Sequence, residues 1–507
     1  MTRSRPTVWL PVAFGGAAFA WVLAATARWG PGVSNDSVTY LSVARSLAAG
    51  GGLVRFDGAS VEAWPPLYPW LLSLIVRTGL EPSDAARAVG AVSAAVAMAA
   101  LVALLSRAVR SPGWAVWGGL LAFASPVLWR TFASAWSESL FVAFVMTACW
   151  LVGRIREWEL RDVLLLGVVA SATCLTRWIG VALVGALALW LLGAPGAPGE
   201  RWKRTAVFAG TAALGPALWG TRNLIVAGGA PFGARGVGYA GLGRNFGEYL
   251  ENLGATLSFA GIGVLGPPLA ATVLLGACLL ALRAWARDRE IVAPVPVAAL
   301  FLLLYSVVLV GIASWTPVAL LSRVRFGAPV WLPFVILLVI GASHVARASR
   351  RARPGVLAAA ALVAALGLAN SAVALSGFRS SGVHGLGRAH WTTSGLLDAL
   401  RRDYSGAGVV SNRPHAVYLH TAIPAVYSPR RHRYRSDVAN QSELSALRNR
   451  VARDGSVSLA WFGKYLGGYG FYLPRELLAE GFCVRAVGRY NDGVLFRVSS
   501  ESPCPLG

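Results

Sequence analysis

The sequence has almost no lysine: of its 46 basic residues only Lys203 and Lys464 are not arginine. It is also poor in charge. Asp, Glu, Lys and Arg make up 14% of the 507 residues, where an ordinary soluble domain has about a quarter. A soluble fold must cover itself with polar groups, and this chain cannot do so over most of its length. Acids are scarcer still, 23 against 46 bases, for a formal charge of +23. That excess invites a nucleic-acid reading. The arginines, however, sit in short clusters between apolar runs, and nothing reads as a helix-turn-helix, a zinc finger or an aromatic RNA-binding strand. No nucleic-acid partner is expected. The five cysteines (Cys149, Cys174, Cys278, Cys483, Cys504) form no CxxC, and the six histidines, five of them beyond residue 380, form no HExxH. No metal ligand is assigned and no cofactor is indicated; a divalent metal stays an open alternative.

What the chain has instead is apolar length. It is 56% hydrophobic, and stretches near 20 residues, the span of a bilayer's hydrocarbon core, recur from Trp9 to Leu375. Basic clusters between them act as topology signals, because basic loops stay cytoplasmic. The path that satisfies them has about eleven transmembrane helices: 8–28, 84–106, 114–130, 138–153, two within 162–192, 205–221, 259–282, 291–313, 327–346 and 355–376. The 162–192 run is too long for one span, and Arg177 interrupts it. A charge at bilayer depth costs about 3 kcal/mol or more, so a broken hairpin with Arg177 near its outer tip is expected. Residues 223–258 read as a Gly-rich outer loop. Pro66 to Val76 is too short to cross and reads as a re-entrant or interfacial piece, although a full span at 66–78 is the rival path. Met1 to Thr7, basic before an apolar run, resembles a signal peptide, but an uncleaved first helix fits the many spans that follow. The expected product is a multi-pass protein of the cell (inner or plasma) membrane, with its N-terminus cytoplasmic.

The fold class that follows is an α-helical polytopic membrane protein with a small C-terminal extracytoplasmic α/β domain. Residues 1–379 form the membrane domain, with a first outer loop at 29–83, and 380–507 form the tail. In the tail, β-rich runs (408–411, 457–462, 494–498) alternate with helical patterns (394–403, 442–453). Outside the membrane Cys483 and Cys504 can pair or stay unrelated. The basic run Arg430, Arg431, Arg433 and Arg435 reads first as a solvated loop, with contact to an anionic lipid or substrate as the alternative. Gly236, Gly238 and Gly241 match a nucleotide-binding spacing, but the strand and helix that such a turn requires are missing around them.

The first outer loop carries most of the chemistry. It runs Asn35-Asp36-Ser37-Val38-Thr39-Tyr40-Leu41, continues through Ala44-Arg45-Ser46-Leu47, and ends at Gly50-Gly51-Gly52. Asn35 or Asp36 can cap a helix and the glycines stop it. Val38, Leu41, Ala44, Leu47 and Ala48 recur at helical spacing, as in a helix lying in the membrane interface. Farther on come Glu62 and Trp64-Pro65-Pro66-Leu67-Tyr68-Pro69-Trp70.

These motifs, with Ser137-Glu138-Ser139, Thr176-Arg177 and Arg323-Val324-Arg325-Phe326, resemble the GT-C glycosyltransferases. More specifically they are similar to the bacterial branch related to protein O-mannosyltransferases and aminoarabinose transferases. The resemblance runs in order through residues 8–346, with one departure: many relatives carry an Asp-Glu pair where this chain has Asp36-Ser37. It implies an inverting transfer of a sugar from a polyprenyl-phosphate donor to an envelope lipid, glycan or protein acceptor on the extracytoplasmic face. Asp36 matches the position of the family's base, which takes the acceptor's proton. A phosphate leaving group needs cations, and Arg suits it through bidentate donors. Arg325, then Arg177, then Arg222 are the candidates, each with a topology or pairing role as the bland alternative. Tyr40, Glu62 and Glu138 are assigned to substrate binding, Glu138 either pairing with an arginine or holding the acceptor. A polytopic transporter or flippase of lipid-linked substrates is the competing reading; it calls for internal repeats and midplane charges, which the sequence does not display.

Overall fold

The computed structural model describes residues 9–109, 111–155, 159–227, 241–257, 266–288, 293–315, 324–404, 406, 408–432, 439–463 and 470–500. The chain divides into two compact units, Met1–Gly32 with Val61–Val383 and Val33–Ser60 with His384–Gly507.

The first unit is helical. It contains α1 (Trp9–Ala25), α3 (Leu67–Val76), α4 (Pro82–Ala108), α5 (Pro112–Phe123), α6 (Pro126–Phe132), α7 (Ser137–Val152), α8 (Leu160–Thr176) and α9 (Val181–Leu192). It continues with α10 (Pro198–Ala227), α11 (Leu242–Leu257), α12 (Pro267–Arg287), α13 (Pro294–Trp315), α14 (Ala328–Ala348) and α15 (Arg353–Ser381). Among the described residues, five helices are long and apolar enough to cross a membrane: Pro82–Ala108, Pro268–Arg287, Pro294–Trp315, Arg325–Ala348 and Arg353–Ser381. The hub is α14, which touches α5, α7, α12, α13 and α15. Every residue from Ala328 to Leu337 on it is buried, whereas α12 and α15 keep most of their apolar surface outward, as lipid-facing helices do. Helices pack closely in such a bundle where a side chain is missing. At Gly341 of α14 a β-carbon would stand 2.9 Å from that of Leu280 on α12.

The 162–192 run is broken at the residue that sequence reasoning picked. Arg177 ends α8 in an extended conformation, a 3₁₀ turn follows over Trp178–Gly180, and α9 resumes. Gly180 is required there, because a β-carbon would lie 2.7 Å from the backbone nitrogen of Cys174. Two other expectations need correction. The run 114–130 is not one span: Ser125 caps a new helix by accepting from the Leu128 amide at 3.2 Å, with Pro126 in its first turn. A proline there lacks an amide that the helix start would leave unpaired anyway, so hydropathy does not register the break. The 223–258 stretch is not all loop, since α11 fills its second half and buries Asn245, Tyr249, Asn252, Leu253, Thr256 and Leu257 at helical spacing. Its three glycines and polar residues hid that periodicity. The Gly236–Gly238 stretch and Met1 to Thr7 lie outside the described residues.

The second unit is built on a mixed five-stranded sheet of order β2-β1-β3-β5-β4. Its strands are β1 (Val409–Ser411), β2 (Ala425–Tyr427), β3 (Ser456–Phe462), β4 (Cys483–Tyr490) and β5 (Gly493–Ser499). β1 pairs in parallel with β2 and β3, and β3–β5 and β5–β4 are antiparallel. The helices are α2 (Asn35–Ala48), α16 (Gly395–Asp403), α17 (Pro414–Thr421), α18 (Gln441–Asp454) and α19 (Pro474–Ala479). Successive side chains of a strand point to opposite faces, and Val409 and Val410 do so. Val409 joins Trp391, Leu396, Leu397, Leu400 and Val417, and Val410 joins Leu444, Leu447, Val451 and Phe482. Residues 33–60 belong here because Val33 and Val38 enter the first of these cores. Val33 also exchanges backbone hydrogen bonds with this unit: its amide donates to His384 at 3.3 Å and its carbonyl accepts from Leu386 at 2.8 Å. Full burial of a valine side chain contributes about 1.5–3 kcal/mol, so Val33 and Val38 each help to hold the segment in place.

The tail's expected strands and helices are present. Sequence reasoning passed over β2, which is three residues long, and β4, whose Arg485 and Arg489 stand on an exposed sheet edge. Cys483 is disulfide-bonded, and Cys149, Cys174 and Cys278 are free; Cys504 lies outside the described residues. Arg430 and Arg431 are not a bare solvated run: they pair with Glu443 and Glu476. Arg433 and Arg435 lie outside the described residues.

Candidate active site

Three of the predicted residues meet in the first unit. Glu138 stands in the first turn of α7, where the helix dipole favours an anion, and it is 1% exposed. Its carboxylate lies 2.9 Å from Nη1 of Arg177 and 3.4 Å from Nε of Arg325. Arg177 reaches it because the break between α8 and α9 leaves its backbone extended, and it also donates to Ser137 Oγ at 3.1 Å. Arg325 comes from the 3₁₀ turn Val324–Gly327 that leads into α14. Tyr305 fixes that turn by donating to the Phe326 carbonyl at 2.9 Å. Aromatic faces back both cations. Arg177 lies 5.3 Å and Arg325 5.0 Å from the Phe326 ring centroid, and Arg325 lies 5.1 Å from that of Trp136, close enough for cation–π attraction.

Two guanidinium groups on one carboxylate sum to a net charge of +1. Taking such ions out of water costs several kcal/mol each before their attraction repays it. The cluster therefore offers little net stability. Glu138 itself is a pairing residue here, the first of the two roles expected of it.

Arg222 and Glu62 are joined differently. Nη1 of Arg222 donates to the Val61 carbonyl at 2.7 Å and to Asn223 Oδ1 at 3.0 Å. Asn223 donates to the Glu62 carbonyl at 3.0 Å, and the Trp178 indole to the Ala63 carbonyl at 3.1 Å. Three donors thus hold three successive main-chain oxygens, and Nη1 of Arg222 helps to position the Val61–Ala63 segment.

Asp36 and Tyr40 belong to the second unit. The cap of α2 is Ser34, not Asn35 or Asp36: Ser34 Oγ accepts from the Ser37 amide at 3.3 Å, and Ser37 Oγ accepts from the Ser34 amide at 3.0 Å. Such a reciprocal pair satisfies two orphan amides. Ser37, the residue that departs from the family's Asp-Glu pattern, therefore serves the helix start. Asp36 follows in the first turn, half-buried, and Tyr40 is buried one turn on. All of Ser37–Ala44 is buried, so α2 is not the half-exposed interfacial helix its apolar spacing suggested.

The model of the dolichyl-phosphate-mannose-protein mannosyltransferase family matches residues 63–219. The structure is similar to that of ArnT from Cupriavidus metallidurans in the apo state, with a TM-score of 0.63 at 15% identity, covering 97% of this chain and 98% of that one. The same protein bound to undecaprenyl phosphate matches with a TM-score of 0.62 at 14% identity, covering 99% and 100%. The chain has the fold of these two structures. The archaeal GT-C oligosaccharyltransferase AglB from Archaeoglobus fulgidus, in complex with an inhibitory peptide and a dolichol-phosphate, matches with a TM-score of 0.54 at 11% identity, covering 99% and 76%. No curated protein sequence gives a significant match.

No three of His, Cys, Asp or Glu among the described residues gather into a group that could hold a metal ion. Sequence reasoning missed His415 and Tyr427. Asn35 Nδ2 donates to the Tyr427 hydroxyl at 3.5 Å, and that hydroxyl lies 3.3 Å from His415 Nδ1. Burial pushes the His415 imidazolium down to about 4, against the opposing pull of Asp36 and Asp57, so the ring is neutral at pH 7. The available signal was the polar group Asn412-Arg413-Pro414-His415 directly after the apolar β1.

Proposed function

We propose that this chain is an inverting glycosyltransferase of the GT-C class that moves a sugar from a polyprenyl-phosphate donor to an acceptor on the extracytoplasmic face of the membrane. In this reading the chain crosses about eleven times, with its N-terminus cytoplasmic and the sheet-bearing unit outside. The observation that carries it is the Arg177–Glu138–Arg325 cluster, in which two guanidinium groups converge beside one enclosed carboxylate, a donor-rich setting of the kind that suits a phosphate. The similarity to ArnT bound to undecaprenyl phosphate supports an anion of that class.

The chemistry is a displacement at the anomeric carbon. The acceptor's oxygen bonds to that carbon as the carbon–oxygen bond to the phosphate breaks, and the configuration inverts. The acceptor's proton passes to the Asp36 carboxylate, a general-base role. The bonding electrons leave on the phosphate oxygen, whose growing charge Arg325 and Arg177 stabilise more strongly in the transition state than in the bound donor. A phosphate ester is already a weak base, so the leaving group needs no general acid. Tyr40 and Glu62 contribute to substrate binding; Arg222 acts through the Val61–Ala63 backbone it holds.

The deciding experiment incubates the full chain in nanodiscs with radiolabelled polyprenyl-phosphate-mannose and polyprenyl-phosphate-arabinose in the presence of envelope extract. Label passing from one of the carriers to an extract component, and its loss on Asp36→Asn, is the expected result. No cleavage of either carrier in nanodiscs, with intact label crossing the bilayer once the chain is reconstituted in sealed liposomes, would replace the transferase with a flippase.

A further inference from the structure

The helices α12 and α14 of the first unit run side by side and end together. Gly341 of α14 seats against Leu280 of α12, and farther along both helices Arg287 Nη1 lies 3.0 Å from His344 Nε2. A guanidinium has no acceptor atom, so Arg287 donates and the imidazole accepts. Arg347 acts electrostatically on the same ring and donates to the Ser343 carbonyl and hydroxyl, each at 3.2 Å. Arg283 stands one turn before Arg287, and both are exposed. Among the described residues neither of these two arginines contacts a carboxylate. Even set against Asp288, the residue after Arg287, three arginines leave a positive surplus.

The arginines also continue an apolar row. Residues four apart on a helix form a ridge, and on α12 one such ridge runs Leu275, Leu279, Arg283, Arg287. Leu275 and Leu279 are 60% and 54% exposed, so the protein leaves the apolar half of the ridge bare. Leu275 lies about 12 Å along the helix axis from Arg283, within one leaflet's half of the roughly 30 Å hydrocarbon core.

We infer that this ridge, with the Arg287–His344 contact at its end, is a binding site for an anionic phospholipid. The phosphodiester sits on Arg283 and Arg287, and one acyl chain lies along Leu279 and Leu275. Basic clusters between membrane helices hold anionic headgroups in this way, and arginine suits phosphate through its forked donors. The site is far from the Glu138 cluster: His344 follows Arg325 along α14 by about 30 Å, the thickness of the core, so the lipid belongs to the opposite leaflet. Topology alone asks only that arginines lie on this side of the membrane. It does not ask for them on the one ridge whose other half is bare leucine, or for an imidazole of the neighbouring helix to hold one of them. A free phosphate uses the arginines and leaves the leucines uncovered, whereas a lipid uses both. The inference stands apart from the transferase reading and needs only that α12 and α14 cross a membrane.

Native mass spectrometry of the full chain, released from detergent micelles, tests it with dioleoyl-phosphatidylglycerol against dioleoyl-phosphatidylcholine, which has the same chains and no net charge. The expected result is at least fivefold greater retention of phosphatidylglycerol. Arg283→Gln with Arg287→Gln should remove that preference, and Leu279→Ser should lower retention at least twofold. Lysine at both positions keeps the charge and should keep at least half of the binding, which separates a lost charge from a lost fold. Arg161→Gln with Lys203→Gln removes equal charge from exposed positions at the starts of α8 and α10 and should change nothing. Equal retention of the two lipids overturns the site, as does failure of the lysine pair to bind. An equal loss in the charge-matched control would reduce it to diffuse attraction. Displacement of the lipid by millimolar inorganic phosphate, with Leu279→Ser without effect, would make it a site for a free anion instead.

Discussion

The helical unit and the sheet unit both pair arginine with carboxylate, and they do it at opposite ends of the solvent scale. In the sheet unit Arg401–Asp398, Arg431–Glu476, Arg448–Glu480 and Arg453–Asp454 keep substantial exposure, and Arg55–Asp57 and Arg430–Glu443 are half-buried with neither carboxylate enclosed. The helical unit has such pairs too, Arg161–Glu159 and Arg244–Glu248, but it also encloses Glu138 with two arginines at 1%, 17% and 8% exposure. Water and side-chain entropy reduce an exposed pair to about 0.2–1 kcal/mol. An enclosed pair has no such moderation, and removing one partner strands the other at a cost of about 3–5 kcal/mol. The contrast separates pairs that solvent weakens from pairs that it does not reach.

The strongest way to break the contrast is Glu138→Ala, which leaves two buried cations facing each other. It should abolish transfer and lower unfolding stability by about 3–5 kcal/mol, read in a denaturant titration of the reconstituted protein. A stable, active variant would show that the cluster is hydrated and ordinary. Asp36→Asn comes next. It keeps size and leaves the Ser34–Ser37 cap intact, so at least a hundredfold loss of turnover, the lower range for general-base catalysis, should appear without a change in melting. Near-normal turnover would reduce Asp36 to a helix-start residue.

Arg325→Ala should cost roughly ten- to a hundredfold in kcat/KM, since hydrogen bonds to charged groups contribute about 1.5–3 kcal/mol. Lysine at that position should be intermediate, because it keeps the charge without the planar fork. Part of the loss should fall on kcat; a pure KM effect would mean that ground-state binding is all it supplies. A smaller effect sharpens the sheet unit. Above pH 6.5 His415 is neutral folded or unfolded. Below it the unfolded chain takes a proton that the folded chain refuses until about 4. Stability must therefore fall as pH drops through that window, by on the order of 2 kcal/mol at pH 5. Hydrogen exchange in peptides of residues 408–427 between pH 7 and pH 5 reads it, and His415→Gln should flatten the dependence. The smallest effect belongs to an exposed pair: Glu480→Gln beside Arg448 should change stability by less than about 1 kcal/mol.

What the sequence disclosed and withheld follows from the range of the forces involved. The break at Arg177 was readable because one charge in an apolar run is a local conflict with a single resolution. The break at Pro126 was not, since proline at a helix start leaves the hydropathy unchanged. β3 and β5 were visible as β-branched runs, whereas β4 carries arginines on an edge that no neighbour covers. The transfer of Val33 and Val38 into the sheet unit depends on residues beyond 380, which a local pattern does not register. Glu138, Arg177 and Arg325 were each singled out from the family's motifs, but their meeting on one carboxylate is a property of packed helices. His415 and Tyr427 looked like ordinary tail residues until the carboxyl ends of β1 and β2 brought them beside Asn35.

Arg222, Asn223 and Trp178 grip the carbonyl oxygens of Val61, Glu62 and Ala63, the first of them across 161 positions of sequence. A grip on main-chain oxygen is blind to side-chain identity. Val61 is still constrained by its burial, but at Glu62 and Ala63, both less buried, drift can proceed without loosening the anchor. The evolutionary burden falls instead on three donors carried elsewhere in the chain. A substitution at position 62 therefore changes the side chain presented there while leaving its placement unchanged.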